Sequence, residues 1–154
     1  MIRFVLVYIF YLASHAETKN VIDRDNFLSI GYARIRIENG DEAERNGSLE
    51  LARNYFYDSY ISRPSVTAAF RAAKVSIKLR EYERALSFFE FALNLDPSNS
   101  TILFEAGLLK HFSGDFVGAI QTYNKIKEPQ LLSFCDDVLF SIGVSYQNIG
   151  EVQV

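Results

Sequence analysis

Tryptophan is absent from this 154-residue chain, cysteine occurs once and proline three times. A lone Cys135 cannot close an internal disulfide, so stability must come from packing. In the apolar stretch 131–135 it reads as a small buried hydrophobe, with an intermolecular disulfide as the alternative. Basic runs are missing too. Sixteen Lys and Arg stand against nineteen Asp and Glu, a net charge of −3. Nothing here could track a phosphate backbone, so nucleic acid is not an expected partner.

Catalytic arrangements are equally scarce. Beyond residue 16 there is one histidine, His111, which excludes a metal site with two His ligands. The H-E-x-x-H motif, phosphate-cradling glycine loops and the G-x-S-x-G elbow do not occur. Asp136 and Asp137 are adjacent and point to different faces of a helix, so they read as a cap and a first-turn acid. His111 fits the last turn of a helix, and the stretch 42–45 reads as a solvated helix face. The expectation is a protein without catalysis, cofactor, metal or small-molecule substrate.

What is present begins with a distinct N-terminus. Arg3 precedes an apolar stretch over 4–13, and Ser14-His15-Ala16 supplies small residues before a possible cut. That layout is a secretory signal peptide over 1–16 with a mature chain over 17–154. Ten apolar residues fall short of the about 20 that span a bilayer as a helix. The location expected is export, periplasmic or cell-envelope in a bacterium. A membrane tether through residues 4–13 is the alternative.

The rest of the chain repeats. Ala52-x3-Phe56-x2-Ser59-x4-Pro64 recurs with identical internal spacing as Ala85-x3-Phe89-x2-Ala92-x4-Pro97. A third copy reads Ala119, Tyr123 and Ile126, with its proline early at Pro129. Upstream of each copy stand small-residue pairs, Ile30-Gly31, Ala72-Ala73 and Ala106-Gly107, and a fourth follows at Ile142-Gly143. Apolar spacing of three and four marks amphipathic helices, and Asn46-Gly47-Ser48, Arg80-Glu81, Ser113-Gly114-Asp115 and Ile149-Gly150-Glu151 mark the turns between them. Small residues let paired helices approach, an aromatic fills the adjoining space, and proline stops the second helix. Asn99 or Ser100 is placed to cap the next helix.

This pattern resembles the tetratricopeptide repeat (TPR), a 34-residue helix–turn–helix unit with W-x2-L-G-x2-Y…A-x3-F…P. The resemblance implies an all-α solenoid, a right-handed superhelix of antiparallel helix pairs. Its repeats are 66–99 and 100–135, with a degenerate repeat over 24–65 and a partial one over 136–154. In the degenerate copy, the step from Gly31 to Ala52 exceeds the matching steps, Ala73 to Ala85 and Gly107 to Ala119, by about two and a half helical turns. Either a longer first helix or a loop near 38–41 accounts for the excess. The partial copy matches the first helix alone, at Leu139, Ile142, Gly143 and Tyr146, and Leu139, Ile142, Tyr146 and Ile149 form a last apolar face that a further helix or a partner is expected to close.

The resemblance also implies a protein or peptide partner held in a concave groove lined by the first helices. Groove positions carried over are Phe70, Lys74 and Ile77, then Phe104, Leu108 and His111, then Phe140 and Val144. The phenylalanines form a ladder that suits either a groove or packing between first helices. The Lys and Asn set with which similar repeats clamp a C-terminal carboxylate is not reproduced. The expected role is an interaction scaffold in an exported or envelope setting. The alternative is the accessory arm of a longer enzyme or outer-membrane export protein, with further repeats or a domain beyond Val154.

Overall fold

The computed structural model describes residues 25–127 and 135–152. The expected signal segment 1–16, the tether 4–13, Pro129 and the side chain of Cys135 lie outside them. The described residues form seven helices and no strand. They are α1 (25–45), α2 (Leu49–Ser62), α3 (Val66–Lys78), α4 (Tyr82–Leu95), α5 (Ser100–Phe112), α6 (Phe116–Tyr123) and α7 (Cys135–Val152). None is long and apolar enough to cross a membrane.

Consecutive helices pair into hairpins, and the hairpins stack. Helix α3 packs on both α2 and α4, α5 on both α4 and α6, and α7 on both α5 and α6. Helices α3 and α5 are thus each wedged between two second helices, which is how a hairpin too small to bury its own apolar face shares a core with its neighbours. One core cluster joins Phe56, Ala72, Ala73, Val75, Ala85 and Phe89 across the first hairpins. A second gathers Leu103, Ala119, Tyr123, Ile126 and Val138, and Leu93 packs against both. Phe56 and Phe89 are fully buried, each contributing about 1.5–3 kcal/mol of transfer energy.

The turns inside the hairpins share one chemistry. Gly47, Arg80 and Gly114 stand at equivalent places in successive hairpins, with φ of 76°, 61° and 85°. Each donates its N–H to the carbonyl three residues back, and the next residue donates five back, as from Ser48 to Ala43, Glu81 to Ser76 and Asp115 to Lys110. These are Schellman caps, which favour glycine at the left-handed position. Arg80 occupies that position with a side chain.

The helix starts follow the sequence signals. Ser65 Oγ accepts from the Ala68 N–H at 3.2 Å, Asn99 Oδ1 from Ile102 at 3.2 Å, and Asp115 Oδ1 from Gly118 at 2.9 Å. Asp136 and Asp137 lie in the first turn of α7, and His111 in the last turn of α5.

The first helix departs from the expected register, and the last continues through 149–152 with no turn at Ile149-Gly150-Glu151. Helix α1 runs unbroken through 38–41, so the excess length is helix rather than loop. Its close approach is made by Gly40, beside Phe56, while nothing lies within 4 Å of a methyl placed on Gly31. In α7, Val138 and Ser145 are fully buried, whereas Leu139 and Tyr146 are exposed and Gly143 meets nothing. Val138 and Ser145 stand at the places that Ile102 and Leu109 hold on α5, so α7 keeps the register of the earlier first helices, and its exposed residues lie on the face that no described helix covers.

Candidate interaction surface

The first helices line one surface, and side chains bridge them in sequence. Lys78 Nζ donates to Glu44 Oε1 at 2.5 Å and Arg71 Nη2 to Glu44 Oε2 at 2.9 Å, tying α3 to α1. Asp41 Oδ1 lies 2.5 Å from the same Arg71 nitrogen. The Arg71 guanidinium also sits 4.8 Å from the centroid of the Phe56 ring, a cation–π contact. On the other side of α3, Lys74 Nζ donates to Glu105 Oε1 of α5 at 2.7 Å.

Helix α5 is tied to α7 by His111, whose Nδ1 lies 2.7 Å from Ser145 Oγ. The Ser145 hydroxyl donates its only proton to the Ser141 carbonyl at 2.7 Å, so His111 Nδ1 carries the hydrogen and donates. Phe116 meets the imidazole edge-on at 5.2 Å.

Three cations and three acids thus alternate across α1, α3 and α5. Burial pushes the Glu44 carboxyl up, but hydrogen bonds from Lys78 and Arg71 outweigh it and hold the group below its ordinary value. Partly exposed ion pairs contribute only about 0.2–1 kcal/mol each. Their larger effect is on what the surface accepts, because its lysines and arginine already have partners.

The apolar positions fall into two classes. Phe70 and Phe104 occupy matching places on α3 and α5, and both are half-buried. Phe70 rests 6.0 Å from the Phe89 ring and Phe104 6.1 Å from Tyr123. Ile77, Leu108 and Val144 are also half-buried, and Ile77 packs onto the core. Phe140 holds the matching place on α7. Phe70 and Phe104 are each half-covered by a ring of the following second helix, whereas Phe140 has no such helix beside it among the described residues and is 74% exposed. A cavity of about 280 Å³ opens beside Ile77, between Tyr82, Leu109 and Phe112. Under the same surface, burial pushes the Tyr123 phenol up to about 12.

The bridging acids were not among the sequence candidates. Of the stretch expected to be a solvated face, Glu42 and Arg45 are exposed, Ala43 is buried, and Glu44 turns toward α3. The signal was available. Gly40 precedes Ala73 by the same step that separates Ala52 from Ala85, and using it as the anchor puts Asp41 and Glu44 in register with Lys74 and Ile77. Among the described residues, no group of three His, Cys, Asp or Glu is placed to hold a metal ion.

Comparison with known proteins identifies the architecture. No family model matches the chain. The first TPR domain of Spaghetti (RPAP3), solved bound to the HSP90 peptide SRMEEVD, superposes with a TM-score of 0.67 at 16% identity, covering 78% of this chain and 94% of that one. The fold is a TPR solenoid. MamA superposes equally well, at 0.67 and 19% identity, over 86% of this chain and 74% of its own. In sequence, rat sperm-associated antigen 1 is 30% identical over 91 residues, 59% of this chain. The match spans only 10% of that protein's length.

Proposed function

We propose that this TPR solenoid is a non-catalytic interaction scaffold that holds a peptide or helix of a partner protein against the face of α1, α3, α5 and α7. The observation behind this reading is the combination on that face of half-exposed apolar side chains, Phe70, Ile77, Phe104 and Leu108, with a balanced set of charges. Similar folds support it, since one neighbour was solved with a peptide bound. The setting proposed is export or the cell envelope, motivated by the residues of segment 1–16.

The preferred occupant is amphipathic rather than acidic. An acidic peptide such as SRMEEVD needs unpartnered cations, and here Arg71, Lys74 and Lys78 are engaged by Asp41, Glu44 and Glu105. A second reading, an accessory arm within a larger assembly, is favoured by the exposed Leu139, Phe140 and Tyr146 on α7, which a further packed element would cover.

Affinity capture from the native source with wild type and with a Lys74→Glu, Leu108→Ser double variant tests the scaffold reading. Proteins retained by wild type and lost by the variant are the expected result, and identical retained sets would overturn it. Anisotropy with labelled SRMEEVD tests the charge argument. Weak binding by wild type and stronger binding by Glu44→Gln are expected.

A further inference from the structure

The second helices carry rings that the repeat pattern does not require. Tyr57 and Tyr60 follow the Ala52–Phe56–Ser59 signature on α2, and Phe88 and Phe91 interleave with Ala85–Phe89–Ala92 on α4. They pair across the two helices. The Tyr57 and Phe88 centroids are 5.7 Å apart, Tyr60 and Phe91 stack at 5.3 Å and 9°, and Phe88 meets Phe91 edge-on at 6.0 Å. The row ends there, because Thr122 of α6 and Lys125 just beyond it stand where α4 has Phe88 and Phe91.

A cleft of about 370 Å³ opens over Tyr57, Phe88 and Phe91, and none of the groove residues on the first helices lines it. Tyr57 is 40% exposed and Phe91 half-buried, and both rest on Phe88, a buried ring of the core, so the floor open to solvent is Tyr57 with Phe91. Arg53 and Arg84 bound one end. Both guanidiniums donate to a single carboxylate, Glu81, and Arg53 donates also to Asn54 Oδ1 at 3.1 Å. Glu81 does not line the cleft, whose lining residues include two arginines and no acid. Arg84 is 53% exposed, within reach of a newcomer from solvent.

We propose that this cleft is a second docking site, which takes a short segment of another protein bearing an aromatic or large aliphatic side chain beside a carboxylate. The charge balance selects the acid, since two guanidiniums sharing one carboxylate leave a net positive rim that a second carboxylate neutralises through charge-assisted hydrogen bonds. The floor selects the apolar side chain, which stacks on rings already held by one another. Such a preformed floor loses little side-chain freedom on binding. The volume falls within the range of built ligand sites. The site faces a different surface from the first-helix groove and does not depend on what that groove holds.

Amide shift mapping on the full 15N-labelled chain tests this, with an acetylated hexapeptide carrying phenylalanine between aspartates as probe. Shifts centred on α2 and α4 near Tyr57 and Phe88 are expected, with binding about tenfold or more tighter than for the same peptide carrying lysines. Arg84→Glu should weaken the acidic probe about tenfold while leaving the thermal midpoint unchanged, and Tyr57→Ala should weaken both peptides. Absence of binding, equal affinity for the lysine peptide, or shifts confined to α3 and α5 would each overturn the proposal.

Discussion

Gly40 lies directly against the Phe56 ring, where a methyl group on residue 40 would stand 2.6 Å from the nearest ring carbon. The same relationship joins Gly107 to Tyr123, at 2.3 Å. The interval from glycine to ring is identical in the two hairpins, and Ala73 and Phe89 share it. The register of each hairpin is set by this contact, a small residue on the first helix beneath a large ring on the second.

Gly40→Ala and Gly107→Ala should therefore destabilise, by about 1–3 kcal/mol each, because buried rings cannot yield the space without disturbing the core. Gly31→Ala, in the same helix as Gly40 but facing open space, should instead gain about 0.5–1 kcal/mol from the lower entropy cost of alanine in a helix. Urea midpoints of the three variants separate these outcomes. A stabilised Gly40→Ala would mean that the Phe56 ring is not held where the contact requires.

The α2–α4 core was legible from the periodic Ala, Phe and Pro of those helices, and the caps at Asn99 and Gly114 from local turn chemistry. The anchor of α1 and the end of α7 were not. Two glycines in α1 offered two anchors, and Gly31 sits in an apolar context that imitates a repeat, although the period of the later copies points to Gly40. In α7, Ile149-Gly150-Glu151 reads as a turn by its glycine, yet the helix continues through it. Packing against α6 and the bond from His111 bury Val138 and Ser145, the places that Ile102 and Leu109 hold on α5. The ion pairs of the groove were illegible for a related reason, since a charged residue on a helix reads the same whether it meets solvent or a neighbouring helix.

Arg80 invites a stabilising change. Its φ of 61° is a conformation that costs a side-chain-bearing residue about 1–2 kcal/mol, and the equivalent turns use glycine. Arg80→Gly should raise the thermal midpoint by a few degrees, as a gain near 1 kcal/mol does in a domain of this size. Calorimetry of the full chain measures it. No gain, or a loss, would show that the Arg80 side chain contributes contacts worth as much as the backbone strain.

The phenylalanine ladder should divide when truncated. Phe104 is half-buried against Tyr123, so Phe104→Ala should cost about 2 kcal/mol, roughly half the loss for a fully buried ring. Phe140 is mostly exposed, and Phe140→Ala should stay within about 0.5 kcal/mol. Chemical denaturation of both variants decides. Equal losses would mean that Phe140 is covered as Phe104 is, against its exposure on α7.

Acid should loosen α1 from α3 through Glu44. Hydrogen bonds from Lys78 and Arg71 hold its folded-state value below the ordinary 4.5 despite the opposing effect of burial. A carboxylate depressed in the folded state binds fewer protons there than in the unfolded chain. Its stabilisation is therefore fully present above the ordinary carboxylate range and is lost as pH falls through the depressed value. Glu81 is lowered in the same direction, chiefly by its hydrogen bond from Arg53, and contributes its own loss over the same range. The urea midpoint of wild type should fall on acidification from neutral pH to below 4.5. Glu44→Gln should begin lower at neutral pH, because Lys78 and Arg71 lose a charged partner, and should then fall less steeply. Glu44→Gln combined with Glu81→Gln should flatten the profile further. Parallel profiles for wild type and Glu44→Gln would mean that α3 is held to α1 by packing alone and that the charges of the groove face are independent of one another.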